Sequence, residues 1–202
     1  MSFLYPISKR AFDILASSTA LIILSPVFLA TSLAIKLDSK GNVFYAQERV
    51  GKDNKHFKMY KFRSMCMDAD KQLEALKDKN EREGATFKIK DDPRITKVGK
   101  FIRKYSIDEL PQLINILKGD MSIVGPRPAL PQEVATYPEE AKIRLTVPQG
   151  LTCIWQIYER DNPKFSVQVK LDKEYVEKKG FWFDLKLIFL TVPSVLSGKS
   201  AY

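Results

Sequence analysis

The longest apolar run in the chain lies near its start and contains no charged residue from Ile14 to Ile35. A helix that crosses a bilayer needs about 20 apolar residues, so this run is long enough. Ser25 and Pro26 lie at its middle, where the proline removes a backbone donor and forces a break or a kink. We predict a helix–break–helix over residues 1–40, in which the Ser25 hydroxyl bonds to carbonyls freed at the bend.

Basic residues flank this run, Lys9 and Arg10 before it and Lys36 and Lys40 after it. Because cytosolic loops of membrane proteins are rich in lysine and arginine, these charges favour both flanks on that side. A re-entrant segment that bends at Ser25–Pro26 and returns to the same face satisfies the pattern. The alternative is a kinked span with its N-terminus outside. No small-residue cleavage site follows, so the run is not a signal peptide.

The hydrophobic pattern next predicts two strands, Val43–Val50 and His56–Phe62, joined by a turn at Gly51–Asn54. Lys61 and Arg63 at the end of this hairpin are two residues apart, a spacing that places side chains on one face of a strand. They are either a pair that binds an anion or a solvated basic edge.

The remaining pattern is mainly helical and indicates an α+β fold. Helices are predicted at Asp68–Glu83, Pro138–Arg144, Phe165–Lys179 and Phe181–Leu196, and a turn and strand at Val147–Ile157. The last helix is rich in aromatic residues and suits a membrane interface, with a buried core helix as the alternative. We therefore expect a re-entrant N-terminal membrane helix (1–40) and a compact, helix-rich cytosolic domain (41–202) with a small hairpin and interfacial amphipathic helices.

The most unusual charges of the chain are the adjacent acids Asp108 and Glu109. Four apolar residues follow at helical spacing and predict one apolar helix face: Leu110, Leu113, Ile114 and Leu117. Gly119 suits the left-handed residue that ends such a helix. The acids therefore lie at the predicted start of a helix.

The start of that helix has two interpretations. Ser106 and Glu109 match a capping box, in which each side chain bonds to the other residue's backbone N–H. Pro111 favours a start nearer Asp108, because in the first turn the missing N–H of proline has no helical partner in any case. Either arrangement places Asp108 at the positive end of the helix dipole. With Arg103 and Lys104 nearby in sequence, we expect an ionised, exposed carboxylate.

Composition narrows the chemistry. The net charge of +9 over 202 residues indicates an anionic partner: a nucleic acid, an acidic membrane surface or a phosphorylated ligand. The single His56 excludes a multi-histidine metal site, and Cys66 and Cys153 form no CxxC motif. Any metal would be a hard cation held by carboxylates and phosphates, most naturally Mg²⁺. Asp91–Asp92, before a proline, is interpreted as a turn rather than a metal site.

An ionised Asp108 beside cations is suited to nucleophilic attack on a phosphoryl group, and Glu109 to holding Mg²⁺. The cations that would stabilise the phosphate charge are Lys61, Arg63, Arg103 and Arg127. Pro126 and Pro128 stiffen the backbone that presents Arg127. These residues by themselves predict a membrane-embedded enzyme that acts on phosphate esters.

Several motifs resemble those of the bacterial sugar transferases, the monotopic polyprenyl-phosphate phosphoglycosyl transferases, here in a small form with the catalytic unit alone. The similarity covers nearly the whole chain and is most specific between residues 106 and 128. The motifs are Lys9–Asp13, Ser25–Pro26, Gln47 with Arg49 and Gly51, Lys61–Met65, Asp92–Thr96, Ser106–Gln112, Lys118–Ser122 and Val124–Pro128.

The resemblance implies transfer of a phosphosugar from a UDP-sugar to polyprenyl (undecaprenyl) phosphate, with release of UMP. It implies two steps, with Asp108 as the nucleophile that forms an aspartyl-phosphosugar intermediate and Glu109 as the Mg²⁺ ligand. It also implies a membrane segment that is re-entrant and broken at Ser25–Pro26. We assign substrate binding to Lys61, Arg63, Arg103, Arg127, Pro128 and a further acid, Asp172.

Such an enzyme would catalyse the first membrane step of glycoconjugate synthesis (exopolysaccharide, O-antigen, capsule or glycoprotein). It would lie in the bacterial inner (cytoplasmic) membrane, with its active site on the cytoplasmic face and with UDP-sugar, polyprenyl phosphate and membrane lipid as partners. A homodimer is an open possibility. The identity of the sugar is open as well, because Cys153 and Tyr158–Asn162 depart from the family pattern. The alternative function is a non-catalytic protein that binds anionic lipid or a partner at the membrane surface. Nucleic acid is disfavoured because the basic residues are dispersed.

Overall fold

The structure is a computed structural model that describes residues 5–76, 89, 92–159 and 162–196. Its first half contains α1 (Tyr5–Ile23), α2 (Ser25–Asp38), β1 (Phe44–Val50), β2 (His56–Phe62), α3 (Ala69–Leu76), α4 (Lys97–Lys104), a 3₁₀ turn (Ile107–Glu109) and α5 (Gln112–Lys118). Its second half contains β3 (Ser122–Val124), α6 (Pro131–Ala135), a 3₁₀ helix (Glu139–Thr146), β4 (Gly150–Thr152), α7 (Ile154–Tyr158), α8 (Phe165–Lys178) and α9 (Phe181–Leu196). The described elements confirm a mixed, helix-rich α+β fold.

The hairpin and the two C-terminal helices agree with the sequence predictions. Strands β1 and β2 pair antiparallel, from Phe44 opposite Phe62 to Val50 opposite His56. Asp68–Glu83 is helical as far as Leu76, beyond which the prediction lies outside the described residues. The prediction of a strand through Ile157 is wrong, because the strand ends at Thr152 and the buried Trp155 lies in α7.

A parallel pair of short strands that the pattern did not predict brings residues 122–128 beside residues 148–152. Ser122 lies opposite Gly150 in this pair. A Cβ atom at Gly125 would lie 2.2 Å from the Pro148 carbonyl oxygen, and one at Gly150 would lie 2.1 Å from the Gly125 nitrogen. Only glycine permits this approach, which determines where the segment containing Arg127 leaves β3.

The predicted break at Ser25–Pro26 is present. Helices α1 and α2 meet there at a bend of 60°. Pro26 has no N–H, and the Ile22 carbonyl instead accepts a hydrogen bond of 2.8 Å from the Ser25 hydroxyl, as predicted. Among the described residues, only α1 and α2 taken together have the length and apolar character of a membrane span; neither helix does so alone.

Polar contacts attach α1 to the rest of the protein. Arg10 donates to the carbonyls of Ile116 (2.6 Å) and Leu117 (2.8 Å), which satisfies the last turn of α5. The buried Asp13 accepts a hydrogen bond of 3.0 Å from the Ile123 backbone. The motif that begins at Lys9 therefore holds the helix in place, beyond the effect of its charge on membrane orientation.

Two hydrophobic clusters support the region of the acid pair. Ile35, Phe62 and Ile102 join α2, β2 and α4. A second cluster packs α5 on β2 and consists of Met59, Leu113, Ile116 and Met121. Burial of one such side chain stabilises the fold by about 1.5–3 kcal/mol, so these contacts hold α4 and α5 firmly on either side of the turn between them.

Candidate active site

The acid pair lies on a tight turn rather than at the start of an α-helix. Ser106 adopts a left-handed conformation (φ 53°) and its side chain caps nothing, so the capping box is wrong. The placement of the helix start near Asp108 is also wrong, because α5 begins at Gln112. Leu110 N–H bonds to the Ile107 carbonyl three residues back, and Pro111 has no N–H to continue with an α-helical bond.

The buried face of α5 differs from the predicted one. Ile114 is 38% exposed, whereas Leu113 and Ile116 are buried together with polar Gln112 and Asn115. The Asn115 side chain accepts from the Tyr60 backbone N–H (2.9 Å) and donates to the Lys58 carbonyl (2.8 Å). An asparagine on the buried face thus fixes α5 beside β2, next to Lys61.

Both acids are buried, which corrects the expectation of an exposed Asp108. Asp108 is 7% exposed and Glu109 is 9% exposed. Lys61 Nζ lies 2.8 Å from Glu109 Oε1 and 3.9 Å from Asp108 Oδ2, and Arg127 Nη1 lies 3.5 Å from Glu109 Oε1. The Asp108 carboxylate accepts no hydrogen bond within the described part of the chain. Glu109 is therefore held by cations, whereas the oxygens of Asp108 remain available.

Burial also changes the protonation expected of Asp108. Loss of solvent raises the pKa of this carboxyl, and the charge of Glu109 raises it further. Lys61, Arg103 and Arg127 oppose this shift because they favour the charged form. The cations around the pair thus favour the ionised form of Asp108 against burial, whereas the sequence argument expected the helix dipole and the nearby cations to act together on an exposed group.

Arg103 reaches the pair from α4. Its Nε donates to the Ser64 hydroxyl at 2.8 Å, and its charge acts on both Asp108 and Asp92. Lys104, its neighbour, is exposed and lies over the ring of Tyr105 instead. Only the first of these two adjacent cations belongs to the site.

Two further arginines hold the backbone that carries Arg127. Arg49 donates to the Pro128 carbonyl at 3.0 Å, and Arg144 lies 3.3 Å from the Arg127 carbonyl. The Arg127 side chain keeps a third of its surface exposed. It lines a small cleft together with Met59, Glu109, Gln112, Pro128, Gly150 and Leu151. The segment after β3 thus presents a cation and a proline at the mouth of this cleft.

The structure does not bring Arg63 and Asp172 to the acid pair. Arg63 donates to the carbonyls of Ser39 (2.8 Å) and Lys40 after the end of α2. Asp172 is 1% exposed and lies 2.8 Å from Arg144. Burial raises the pKa of Asp172 to about 6, although Arg144 opposes the shift. The assignment of these two residues to substrate binding stays a prediction.

Three site residues had no assigned role in the sequence interpretation. Burial, with the nearby charge of Arg127, lowers the pKa of Arg49 to about 10. The side chain of Gln112 is buried, lines the cleft and has no hydrogen bond within the described residues. Arg144 links Asp172 to the Arg127 backbone. Arg49 lies two residues after Gln47 on β1, so their side chains share one face of the strand, and this spacing could have identified Arg49. Nothing in the local pattern distinguished Arg144.

The carboxylates of the site fit a Mg²⁺ ion that takes most of its ligands from water and substrate phosphates. Among the described residues no three histidine, cysteine or acidic side chains come together as a metal site, so Asp108 and Glu109 are the available carboxylates. Mg²⁺ commonly takes one or two carboxylates and completes its shell with water and substrate phosphates. The residues present fit a metal that arrives with a phosphate substrate.

Comparison with known proteins adds independent information. A family model described as bacterial sugar transferase matches residues 4–198. The exopolysaccharide production protein ExoY of Rhizobium meliloti (strain 1021) is 41% identical over 199 residues, which cover 96% of this chain and 88% of that protein. Undecaprenyl-phosphate galactose phosphotransferase of Salmonella typhimurium is 41% identical over 198 residues (96% and 41%). Undecaprenyl-phosphate glucose phosphotransferase of Komagataeibacter xylinus is 39% identical over 209 residues (97% and 37%).

Proposed function

The chain belongs to the bacterial sugar transferase family and is a phosphoglycosyl transferase; on this premise we propose that it transfers a phosphosugar from a UDP-sugar to polyprenyl (undecaprenyl) phosphate and releases UMP. The names of the galactose and glucose phosphotransferases support the acceptor, and their different sugars leave the donor open. The observation that carries the mechanism is the contrast within the acid pair. Glu109 is held by Lys61 and Arg127, whereas Asp108 has no hydrogen bond within the described residues.

In the first step, a carboxylate oxygen of Asp108 attacks the phosphorus that bears the sugar. The bond from that phosphorus to the bridging oxygen breaks, and UMP leaves with the electron pair. The aspartyl-phosphosugar is the product that stays on the protein. Lys61, Arg103 and Arg127 surround the pair and stabilise the charge that develops on the phosphate oxygens.

In the second step, an oxygen of polyprenyl phosphate attacks the same phosphorus. The acyl-phosphate bond to Asp108 breaks, so the carboxylate is regenerated and the sugar leaves on a polyprenyl diphosphate. Two successive displacements at one buried carboxylate require that the donor and the acceptor occupy the site in turn. This order predicts ping-pong kinetics.

The proposed cofactor is Mg²⁺, held by Glu109 together with the donor phosphates. When bound, the ion neutralises negative charge on the diphosphate. Glu109 also accepts from Lys61 at 2.8 Å, which fixes its carboxylate next to Asp108. The role of this chain in metal binding is thus to present one oriented carboxylate beside the nucleophile.

The proposed location is the bacterial inner membrane, with α1 and α2 as a re-entrant pair and the acid pair at the cytoplasmic surface. The support is the 60° bend and the large apolar side chains that remain exposed along both helices: Leu15, Ile22, Ile23, Leu29, Leu33 and Leu37. Exposed Trp182 and Phe189 on α9 suit an interfacial helix. A polyprenyl phosphate would present its phosphate at that surface.

Release of UMP from a panel of UDP-sugars, with Mg²⁺ and undecaprenyl phosphate, tests the proposed reaction. We expect release with at least one sugar and a loss of about 10³-fold or more in Asp108→Asn, which removes the nucleophile. Asp53→Asn is the matched control, because Asp53 is exposed in a left-handed turn that asparagine tolerates. No UMP with any sugar, or full activity in Asp108→Asn, would contradict the proposal and favour a non-catalytic binding protein.

The re-entrant arrangement has its own test. Single cysteines at Ser8 and Lys40, in a Cys66→Ser background, lie on either side of the uncharged run Ile14–Ile35, and the remaining Cys153 is buried. An impermeant thiol reagent should label both positions only after the cytoplasmic side is opened. Labelling of Ser8→Cys from outside intact cells would instead show a kinked span.

A further inference from the structure

One face of α4 is basic and exposed. Four residues at positions i, i+3, i+4 and i+7 share it: Lys97, Lys100, Phe101 and Lys104. Phe101 is 58% exposed. None of these lysines lies within 4 Å of a carboxylate oxygen in the described part of the chain, although the charge of Lys97 acts on Asp38 beyond that distance. We call these four residues the Lys/Phe strip.

The strip begins where the proposed membrane segment ends. The Val98 backbone N–H donates to Asp38, the last residue of α2, at 3.0 Å. Leu37, directly before it, is 80% exposed. Ile35 and Ile102 belong to the same buried cluster, so α2 and α4 are packed together. The start of the strip therefore lies beside the C-terminal end of α2, where Leu37 is exposed.

The same short helix leads directly into the acid pair. Arg103, on α4, donates to Ser64 and acts electrostatically on Asp108. Four residues after Lys104 the chain reaches Asp108 itself. A contact that fixes the exposed face of α4 therefore also fixes the height of the acid pair above the same surface.

We propose that the Lys/Phe strip binds anionic phospholipid headgroups, with Phe101 inserted among the acyl chains near the surface. The inference rests on the proposed membrane location and adds a lipid preference to it. Lysines near an anionic surface each strengthen binding by about fivefold. An exposed phenylalanine among lysines adds apolar area that a purely electrostatic contact does not use. The strip thereby holds the acid pair at the level of a polyprenyl phosphate.

Charge and continuity favour lipid over an acidic protein as the occupant. The strip carries three lysines and no acid, and it adjoins exposed leucine side chains that already require an apolar environment. A protein partner would have to match a basic helix face and avoid those leucines. Lipid headgroups beside the acyl chains around α2 satisfy both surfaces at once.

The test compares partition of the full chain into vesicles of phosphatidylcholine with and without about 30 mol % phosphatidylglycerol. The ratio of the two partition coefficients measures the anionic preference alone, because α1 and α2 insert in both. We expect the triple variant Lys97→Gln, Lys100→Gln, Lys104→Gln to lower this ratio by about 100-fold or somewhat less, from about fivefold for each lysine. Lys52→Gln, Lys55→Gln, Lys58→Gln, on the hairpin, is the matched control with the same change in net charge.

Equal losses in the two triple variants would overturn the proposal, because they would show a general effect of net charge. An unchanged ratio in the strip variant would also overturn it and leave an acidic protein as the occupant. Release of UMP in non-ionic detergent separates this result from the proposed function. The strip variant should keep wild-type activity there, and absence of activity in the wild type would count against the transferase reaction while leaving the vesicle comparison intact.

Discussion

Two regions of this protein place a lysine against a carboxylate, yet they differ in what remains unsatisfied. In the Asp184 network, Lys9 Nζ lies 2.6 Å from Asp184, and the hydroxyls of Tyr5 and Tyr175 donate to the two oxygens of the same carboxylate. Lys9 also donates to the Val124 carbonyl, whose oxygen lies 3.0 Å from the Tyr175 hydroxyl oxygen. One charge balances one charge, and both oxygens of the carboxylate accept hydrogen bonds.

The acid pair uses the same kinds of residue without this balance. Lys61, Arg49, Arg103 and Arg127 surround two carboxylates, and Asp108 accepts no hydrogen bond from the described residues. Two further acids, Glu133 and Asp92, act on Arg49 and Arg103. The cations beside Asp108, which accepts no hydrogen bond from the described residues, suit an anion such as a diphosphate. A balanced buried ion pair thus holds helices together, whereas a buried carboxylate that lies beside cations without a hydrogen bond is prepared for a ligand.

The largest change in stability is expected for a substitution of Lys9 in the Asp184 network. Lys9→Met leaves Asp184 as a buried charge without its cation, and we expect a loss of about 3–5 kcal/mol in the free energy of unfolding. Thermal unfolding in detergent micelles measures it. Lys36→Met is the matched control, because Lys36 is exposed and should change stability by less than about 0.5 kcal/mol. Comparable losses in the two variants would show that the network does not stabilise the fold.

The second prediction concerns Lys61, beside the acid pair, and the rate of UMP release. Lys61→Gln removes the cation nearest both acids, and we expect kcat/KM for UMP release to fall by about 10²-fold, as for removal of one charge-stabilising donor. The melting temperature should change little, because Arg103 and Arg127 remain beside the two acids. Lys58→Gln, on the same strand and exposed, is the control. A large loss of stability in Lys61→Gln would place this lysine with Lys9 as a structural residue.

The third effect concerns Asp172, a carboxylate buried against Arg144. Its pKa is raised to about 6, so the folded state binds a proton more tightly than the unfolded state. The resulting stabilisation is present at low pH and is lost as the pH rises through about 6. We expect the free energy of unfolding to fall by about 1–3 kcal/mol more between about pH 4 and pH 7 in the wild type than in Asp172→Asn. Equal pH slopes would contradict the raised pKa.

The smallest effect concerns the carbonyl contacts behind Arg127. Arg49→Lys keeps the charge but cannot hold both Gln47 and the Pro128 carbonyl in one planar fork. We expect kcat/KM to fall by about tenfold through displacement of the Arg127 segment. Gln47→Ala, which removes only the other partner, should have a smaller effect. The reverse order would show that the fork acts through Gln47 rather than through Pro128.

Local chemistry allowed a good part of the fold to be predicted. The break at Ser25–Pro26, the hairpin, the left-handed Gly119 and the helix Phe181–Leu196 all follow from residues close in sequence. Proline geometry, turn residues and apolar periodicity act over a few residues, so they can be interpreted without a partner element. The capping box at Ser106 and the strand over Val147–Ile157 were wrong, because the local pattern there allowed more than one conformation and packing decided between them.

The site divided in the same way. Asp108, Glu109, Lys61, Arg103 and Arg127 were singled out from sequence, and the structure brings them together. The role of Arg144 was not predictable, because its partners lie on different segments of the chain: Arg127, Tyr137 and Asp172. Arg63 differs from these residues, because its guanidinium donates to carbonyls beyond α2 and its role in substrate binding stays a prediction.

Residue identity and short-range geometry are enough to show which chemical groups are present, where the first helix breaks and which family the chain resembles. Only the tertiary structure decided that Asp108 is buried yet without a hydrogen bond among the described residues, and that Lys9 and Asp184 form a closed network across 175 positions of the chain. Burial and electrostatic balance depend on which distant segments meet. Contacts between distant segments therefore give the carboxylates of Asp184 and Asp108 different roles.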